Sequence, residues 1–532
     1  MIKCPSCGAE LSFSVEEQQV TCEYCRSTFN PKELDIKAKT AEEKTYEGKS
    51  FLCSQCGAEL LTFDETAITF CSYCGSQAMI ESKMIKHNNP DFIIPFKKTK
   101  EECINAYKKK VSQSLFAPTS MKSDIVVNKF RGIYIPYCIY KLSFKGVSSH
   151  KGERYKGRVG DYVYYDDYSI SANVDAEYDG VSFDLISNFS DKFSQSIPHD
   201  FKEAEKFNTN YLAGFYADAV DVDNYIYEEL AESIVNNDSI DRMLKIKEYT
   251  KYNCKMSKLD FNVEDKKVGM FPVYFLAIRD KKNKKVNYAI VNGQTGKVAI
   301  DLPVDFTKYL LTSILLAVPI FLLINNLLVL TPQTLCILAI IFAIIGLIIS
   351  NYHANKIHER ENHFDDIGYI NNNTDIKYTI ETKKIQNKSS VPLLIFLIIL
   401  CFSFPYFAAF SEMPQNMIKI FSVSISIVFI VLLCKTKKSV EFKTDVKMLV
   451  RNRKHLLSAK KRFKYIYKAI LAILLGLCAL FANFVYDIYY YGTAVIMFLL
   501  VIWTFLDLIK YHNILVSTKL PQLNKRGGDG NE

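Results

Sequence analysis

The sequence predicts a multi-domain chain: tandem Cys4 zinc ribbons, an α+β cytoplasmic domain, and an all-α polytopic membrane domain of about six helices. Three observations carry this. Four C-x-x-C pairs fall within the first 74 of 532 residues. Residues 91–305 mix strand-like and helix-like patterns and hold no apolar run of span length. Residues 306–532 hold six such runs, each near the ~20 residues needed to cross hydrocarbon.

Hydrophobic residues make up 49% of the chain and charged ones 23%, so the two must be segregated, and an all-soluble enzyme is excluded. With Gly 21 and Pro 15, the chain is neither fibrous nor low-complexity. Charge is segregated as well. From Phe306 onward there are 25 Lys and Arg against 13 Asp and Glu, net +12. The remainder, 66 − 25 = 41 basic against 57 − 13 = 44 acidic residues, is net −3. The overall +9 therefore belongs to the membrane half and is no nucleic-acid signal. The opening MIKCPSCGAE lacks the apolar core of a secretory signal. A reducing compartment is expected, where clustered cysteines ligate metal rather than form disulfides.

Residues 1–30 read as the first zinc ribbon. Cys4 and Cys7 are separated by 14 residues from Cys22 and Cys25. After a charged linker (31–50), residues 51–90 repeat the unit at an offset of 49: Cys53 and Cys56, 14 residues, then Cys71 and Cys74. The matches include Gly8/Gly57, Ala9/Ala58, Tyr24/Tyr73 and Ser27/Ser76. Each unit offers four thiolates, enough for one closed tetrahedral Zn site, so two structural zinc ions are expected. Four Cys ligands leave no open position for catalysis. Glycine after the second Cys supplies the left-handed residue of a knuckle. Ser12–Val15 with Gln19–Thr21, and Leu60–Phe63 with Ala67–Phe70, read as hairpins between the knuckles. About 30 residues bury little core, so metal supplies the folding energy. Residues 1–90 carry 9 basic and 13 acidic residues, net −4. Each Zn(Cys)4 adds about −2 more. Nucleic-acid affinity needs neutralised phosphates, so this head favours a protein partner over DNA or RNA.

Residues 91–305 read as the α+β domain. Thr99–Glu102 forms a capping box that opens a helix to about Leu115. Arg131–Phe144, Tyr162–Tyr165 and Ile170–Phe183 read as strands, Asn210–Ala217 and Val222–Val235 as helices, and Val268–Asp280 with Val286–Ile300 as a hairpin. Val291–Lys297 fails the phosphate-loop pattern, because Val291 and Val298 stand where Gly and Ser or Thr are required. It reads as a turn with Gly293 and Gly296 in positive φ. No nucleophile–base set emerges, and no catalytic or cofactor-binding residue is nominated. His87, His150 and His199 are isolated. His353, His358 and His363 recur every five residues, about 140° apart on a helix, and share no face. Asp161, Asp166 and Asp167 read as a turn between aromatic strands.

The six runs, 309–330, 333–350, 391–410, 416–434, 467–486 and 490–510, form three hairpins (306–350, 391–434, 467–510). The connection 435–466 carries 12 basic residues against two acidic ones, and 351–390 carries six of each. By the positive-inside rule both loops, both termini and the tail 511–532 are cytoplasmic. Lys419 and Asp507 lie near span ends, and no carboxylate marks a transport path at mid-membrane. An anchor in the lipid bilayer is favoured over a transporter or channel regulated by the head. Membrane-tethered nucleic-acid binding is the third reading, and a homo-oligomer is open.

The order CPSCGAEL…CEYC, CSQCGAEL…CSYCGS, PDFIIPF, GIYIPYCIY, NTNYLAGFYAD, PVYFLAI and NGQTGKVAIDLPVD resembles a bacterial family of cytoplasm-facing zinc-ribbon membrane proteins over about residues 1–310. Its members are labelled general-transcription-factor-type zinc ribbon proteins or, loosely, primosomal-helicase-like. The helicase label would need Walker motifs, which this sequence lacks. The resemblance implies a non-enzymatic membrane anchor, similar to those that partner phage-shock and flotillin-like membrane-stress proteins. It also implies zinc ligation by Cys4, Cys7, Cys22, Cys25, Cys53, Cys56, Cys71 and Cys74. Two sizeable loops between spans are more than a minimal anchor needs.

Overall fold

A computed structural model describes residues 3–34, 45–63, 71–77, 79–160, 162–187, 189–235, 238, 251–253, 260–280, 285–327, 331–361, 366, 378–381, 447–450, 459–482 and 486–519. The first ribbon is a three-stranded antiparallel sheet of β1 (Leu11–Ser14), β2 (Gln19–Cys22) and β3 (Thr28–Phe29). Alternate residues point one way along a strand, so Leu11, Phe13 and Val20 turn inward together. They pack on the head: the Phe13 N–H donates to Ala213 O (3.0 Å), and Gln18 Nε2 donates to Phe96 O (2.7 Å).

The second ribbon is built into the head. β4 (Thr45–Cys53) pairs with β5 (Glu59–Thr62) and β6 (Met79–Asn88), and Leu61 pairs with Ala217 of the main sheet. β4 starts inside the 31–50 stretch expected to be a charged linker. Glu47 and Lys49 alternate there with buried Tyr46 and Ser50, which is the pattern of a strand.

The main sheet continues through β7 (Phe92–Ile93), β8 (Arg131–Val159), β9 (Tyr162–Asp184), β10 (Glu205–Lys206), β11 (Tyr216–Ala217), β12 (Lys251–Asn253), β13 (Asp260–Asp280), β14 (Lys285–Asn292) and β15 (Val298–Ile300). β8 is its spine. It pairs antiparallel with β9 on one side and with β13 and β12 on the other. Ile133, Ile135 and Tyr137 of β8 face the core that holds the second Cys cluster. Tyr134 faces the core under α1 (Lys100–Ser112), whose buried residues Cys103, Tyr107 and Val111 recur every fourth position. The α1 capping box is formed: Thr99 N–H donates to Glu102 Oε2 (2.8 Å) and Glu102 N–H to Thr99 Oγ1 (3.2 Å).

Two expectations change. Residues 210–217 are no regular helix but a 3-10 turn over Thr209–Leu212 followed by β11, because Gly214 breaks the segment at φ 82°. The turn after β14 is present, with Gly296 at φ 72° and its N–H bonded to Asn292 O (2.9 Å). Gly293 serves close packing instead, since a Cβ there would meet Phe96 Cδ1 at 2.4 Å.

Three helices among the described residues are long and apolar enough to cross a membrane: Pro332–Glu361, Arg462–Ala482 and Asp487–Val516. A shorter apolar stretch, Phe306–Leu322, precedes them. We label the helices α2 (Phe306–Leu327), α3 (Pro332–Glu361), α4 (Ala459–Ala482) and α5 (Asp487–Val516). Of the six expected spans, 391–410 and 416–434 lie outside the described residues. α3, α4 and α5 pack around Ile340, Ile344, Leu480 and Met497. Gly476 makes this possible, because a Cβ on it would meet Met497 Cε at 2.4 Å and Ile340 Cγ1 at 2.6 Å.

A 30-residue helix is about 45 Å long, well beyond the ~30 Å of hydrocarbon. The surplus reaches the head. Arg360 near the end of α3 pairs with Asp301 (3.3 Å), which also takes Lys192 of the head (2.5 Å). Asn513 of α5 caps the backbone of Val304, donating Nδ2–H to its O (2.9 Å) and accepting its N–H (2.8 Å). The expected tail 511–532 is therefore structured at its start. α5 runs to Val516, and Thr518–Lys519 adds a short strand to β14. The expected loops are likewise structured at their ends. α3 runs into 351–390 and α4 begins inside 435–466, while Tyr378–Glu381 and Lys447–Val450 pair with each other.

Candidate metal centres

The two predicted ligand sets assemble as two separate groups, Cys4/Cys7/Cys22/Cys25 and Cys53/Cys56/Cys71/Cys74. Within each, the sulfurs all lie within 4.8 Å of one another. Each C-x-x-C turn closes by the same backbone bond: Gly8 N–H to Cys4 O (2.8 Å), Arg26 to Cys22 (2.8 Å), Gly57 to Cys53 (2.7 Å), and Gly75 to Cys71 (2.9 Å). This bond turns the chain back on itself, so the residue after each second Cys takes positive φ: 79° at Gly8, 59° at Arg26, 79° at Gly57 and 68° at Gly75. Arg26 is the one knuckle residue of the four with a Cβ. The left-handed region costs a non-glycine roughly 1–2 kcal/mol, part of which glycine gives back as unfolded-chain entropy. Arg26→Gly is thus expected to stabilise the first ribbon by about 0.5–1 kcal/mol, read as a later urea midpoint for zinc release.

Within the pairs Cys4–Cys25 and Cys7–Cys22 the sulfurs are 3.6 and 3.5 Å apart; for Cys53–Cys74 and Cys56–Cys71 the separations are 3.6 and 3.7 Å. A tetrahedron with Zn–S near 2.3 Å has edges of about 3.8 Å, whereas a disulfide needs about 2.05 Å. The sulfur cages fit a closed, four-thiolate zinc site. Four thiolates packed this closely repel one another, so the arrangement suits a cation at its centre. In the first cage, the Ser27 hydroxyl and backbone N–H hold the Cys25 thiol down to about 6. Among the described residues no other His, Cys, Asp or Glu group gathers in this way.

The cages differ in their surroundings. Cys4 and Cys22 are buried, but Cys7 and Cys25 are exposed. Tyr24, inside the second knuckle, is 83% exposed. All four cysteines of the second cage are buried, and its repeat partner Tyr73 is 1% exposed. The Tyr73 hydroxyl donates to the buried Asp218 carboxylate, and Tyr288 donates to Tyr73 O (2.8 Å). Burial pushes Asp218 up to about 7. Sequence reasoning missed Asp218, because nothing near it in the chain marks a partner 145 residues away.

Among the described residues, His87, His199 and His353 join neither cage. His199 is wedged against Phe271 and Tyr137, and burial lowers it to about 4. His87 lies against Tyr46, and His353 bonds Ile349 O (2.9 Å). Of the expected turn carboxylates, Asp166 is on β9, paired with Lys156 (3.0 Å).

No family model matches the chain, and no solved structure matches it. Over 318 residues it is 28% identical to the uncharacterized protein YdjG of Bacillus subtilis (strain 168), an alignment that covers 58% of this chain and 91% of that protein.

Proposed function

We propose that the chain is a non-enzymatic, zinc-binding integral membrane protein whose cytoplasmic head docks a cytoplasmic protein at the bilayer, in a membrane-stress response. The unequal burial of the two cages carries this reading. The second cage is wholly buried. The first cage instead holds two cysteines and an aromatic knuckle at the surface, at the cost of solvating a large apolar side chain. Exposed tyrosine on a rigid turn is the residue type that anchors protein interfaces. The basic excess of 435–466 supports a cytoplasmic head. The acidic balance of residues 1–90 disfavours nucleic acid as the partner.

The test is capture from membranes in mild detergent with the full chain, its zinc content measured in parallel. Tyr24→Ala is expected to keep two zinc ions per chain and to lose the co-purifying protein. An unchanged set of captured proteins would remove the docking role from this knuckle.

A further inference from the structure

β8 and β9 run on together well past the edge of the main sheet. β13 accompanies β8 over Arg131–Lys145, and β12 over Lys151–Glu153. Beyond that, residues 154–159 of β8 have β9 as their one strand partner among the described residues. β9 has β8 as its own along all 23 residues. A two-stranded ribbon is marginal in water unless one face is covered or a third strand is added. Here neither face of the tip is covered by the described residues. Tyr155, Tyr162, Tyr164 and Tyr165 are 53%, 74%, 52% and 49% exposed, and the last three span adjacent positions that point to opposite faces.

The two strands carry opposite charge. From Lys141 to Val159, β8 has six Lys or Arg and one Glu, while β9 has six Asp or Glu and no basic residue. Charges of one sign keep an edge from pairing with its own kind. They do not protect an acidic edge from a basic one. Copies inserted the same way up in one membrane can stand side by side with β9 of one against β8 of the next. The strands then alternate β8, β9, β8, β9, antiparallel throughout and basic–acidic throughout.

We propose that this ribbon is a self-association arm, in which the acidic β9 edge of one copy takes the basic tip of β8 from a second copy of the chain. Such contacts are heterologous, so they propagate around a ring or along a row in the membrane. The uncovered tyrosines then stack between neighbouring ribbons.

The charge pattern gives a test by reversal, using full-length chains with two different tags, co-expressed and captured through one tag. One variant carries Arg154→Glu, Lys156→Glu and Arg158→Glu, and the other Asp166→Lys and Asp167→Lys. Wild type is expected to capture wild type. At the tip, residues 154–168, each variant has two edges of one sign, so capture of its own kind should fall about tenfold, in keeping with like charges opposed across a strand pair. The two variants together should capture each other near the wild-type level, because each acidic edge now meets a basic one. A chain with all five changes, which restores attraction within its own ribbon, should again capture itself. A wild type that runs as a single copy in nanodiscs overturns the proposal, as does reversal without effect on self-capture. Failure of both the mixed pair and the five-change chain does the same. None of these readouts depends on the docking partner proposed for Tyr24.

Discussion

Cys53→Ser is expected to unfold the whole head, whereas Cys7→Ser unfolds residues 3–34 and leaves the rest standing. The chemistry removed is the same, one thiolate of four. The difference lies in what each cage supports. Cys53, Cys56, Cys71 and Cys74 share one core with Ile133, Ile135, Phe271, Val273 and Phe275, the central residues of β8 and β13. Structural zinc contributes about 10–16 kcal/mol of binding free energy, as much as the whole stability of an ordinary domain, about 5–15 kcal/mol. Losing it from that core also strands buried sulfurs and opens the seat of Tyr73 and Asp218. Cys7 is exposed, and its ribbon lays Leu11, Phe13 and Val20 on the core under α1, which β8, β13 and α1 line without it. Hydrogen exchange on the detergent-solubilised chain separates the outcomes. Cys7→Ser should expose amides of β1 and β2 and drop zinc from two ions to one per chain. Cys53→Ser should also expose amides of Arg131–Phe144. Protection of β8 at the wild-type level in Cys53→Ser would show that the second cage is no structural centre. A chelator should reproduce the larger effect, with α3, α4 and α5 still inserted.

What the sequence makes legible here follows from the range of the interaction. The two groups of four cysteines are readable because a thiolate tetrahedron needs two short C-x-x-C turns, and both turns are local. The capping box at Thr99 and Glu102 is local too, and it forms as expected. The inequality of the cages is not readable. Tyr24 and Tyr73 occupy equivalent repeat positions, and their fates are decided by Asp218 and Tyr288, far along the chain. β8 reads as a strand only to Phe144, because alternation requires a buried face and the ribbon beyond it has none. The stretch after Lys145 is rich in Lys, Gly and Ser and carries no periodic signal. In the membrane half, hydropathy finds the runs but not their lengths. α3 and α5 extend past the apolar windows because Arg360 and Asn513 have partners on the head.

Asp507 shows the same limit and leads to a second large effect. By position it is a span-end carboxylate that reaches water. In the structure it pairs with the buried Lys468 on α4, whose ammonium sits 3.9 Å from the centre of the Trp503 ring. An ion pair between two helices gains little in net stability when its lysine is buried and both charges are present. Removing one charge leaves the other buried without compensation, a penalty of about 3–5 kcal/mol. Asp507→Leu is therefore expected to separate α4 from α5, because Lys468 then has to reach solvent. Lys468→Met should do likewise by stranding the carboxylate. The double change, Lys468→Met with Asp507→Leu, replaces the pair with apolar groups and should recover most of the loss. Trp503 is the chain's one tryptophan, so its emission during denaturant titration in detergent reports on this contact. A cycle in which the two single losses simply add would mean that the charges do not meet in the membrane. A coupling of several kcal/mol, the double change standing close to wild type, makes them the pin that fixes the register of the last two helices, and through Asn513 the seat of the head on the bundle.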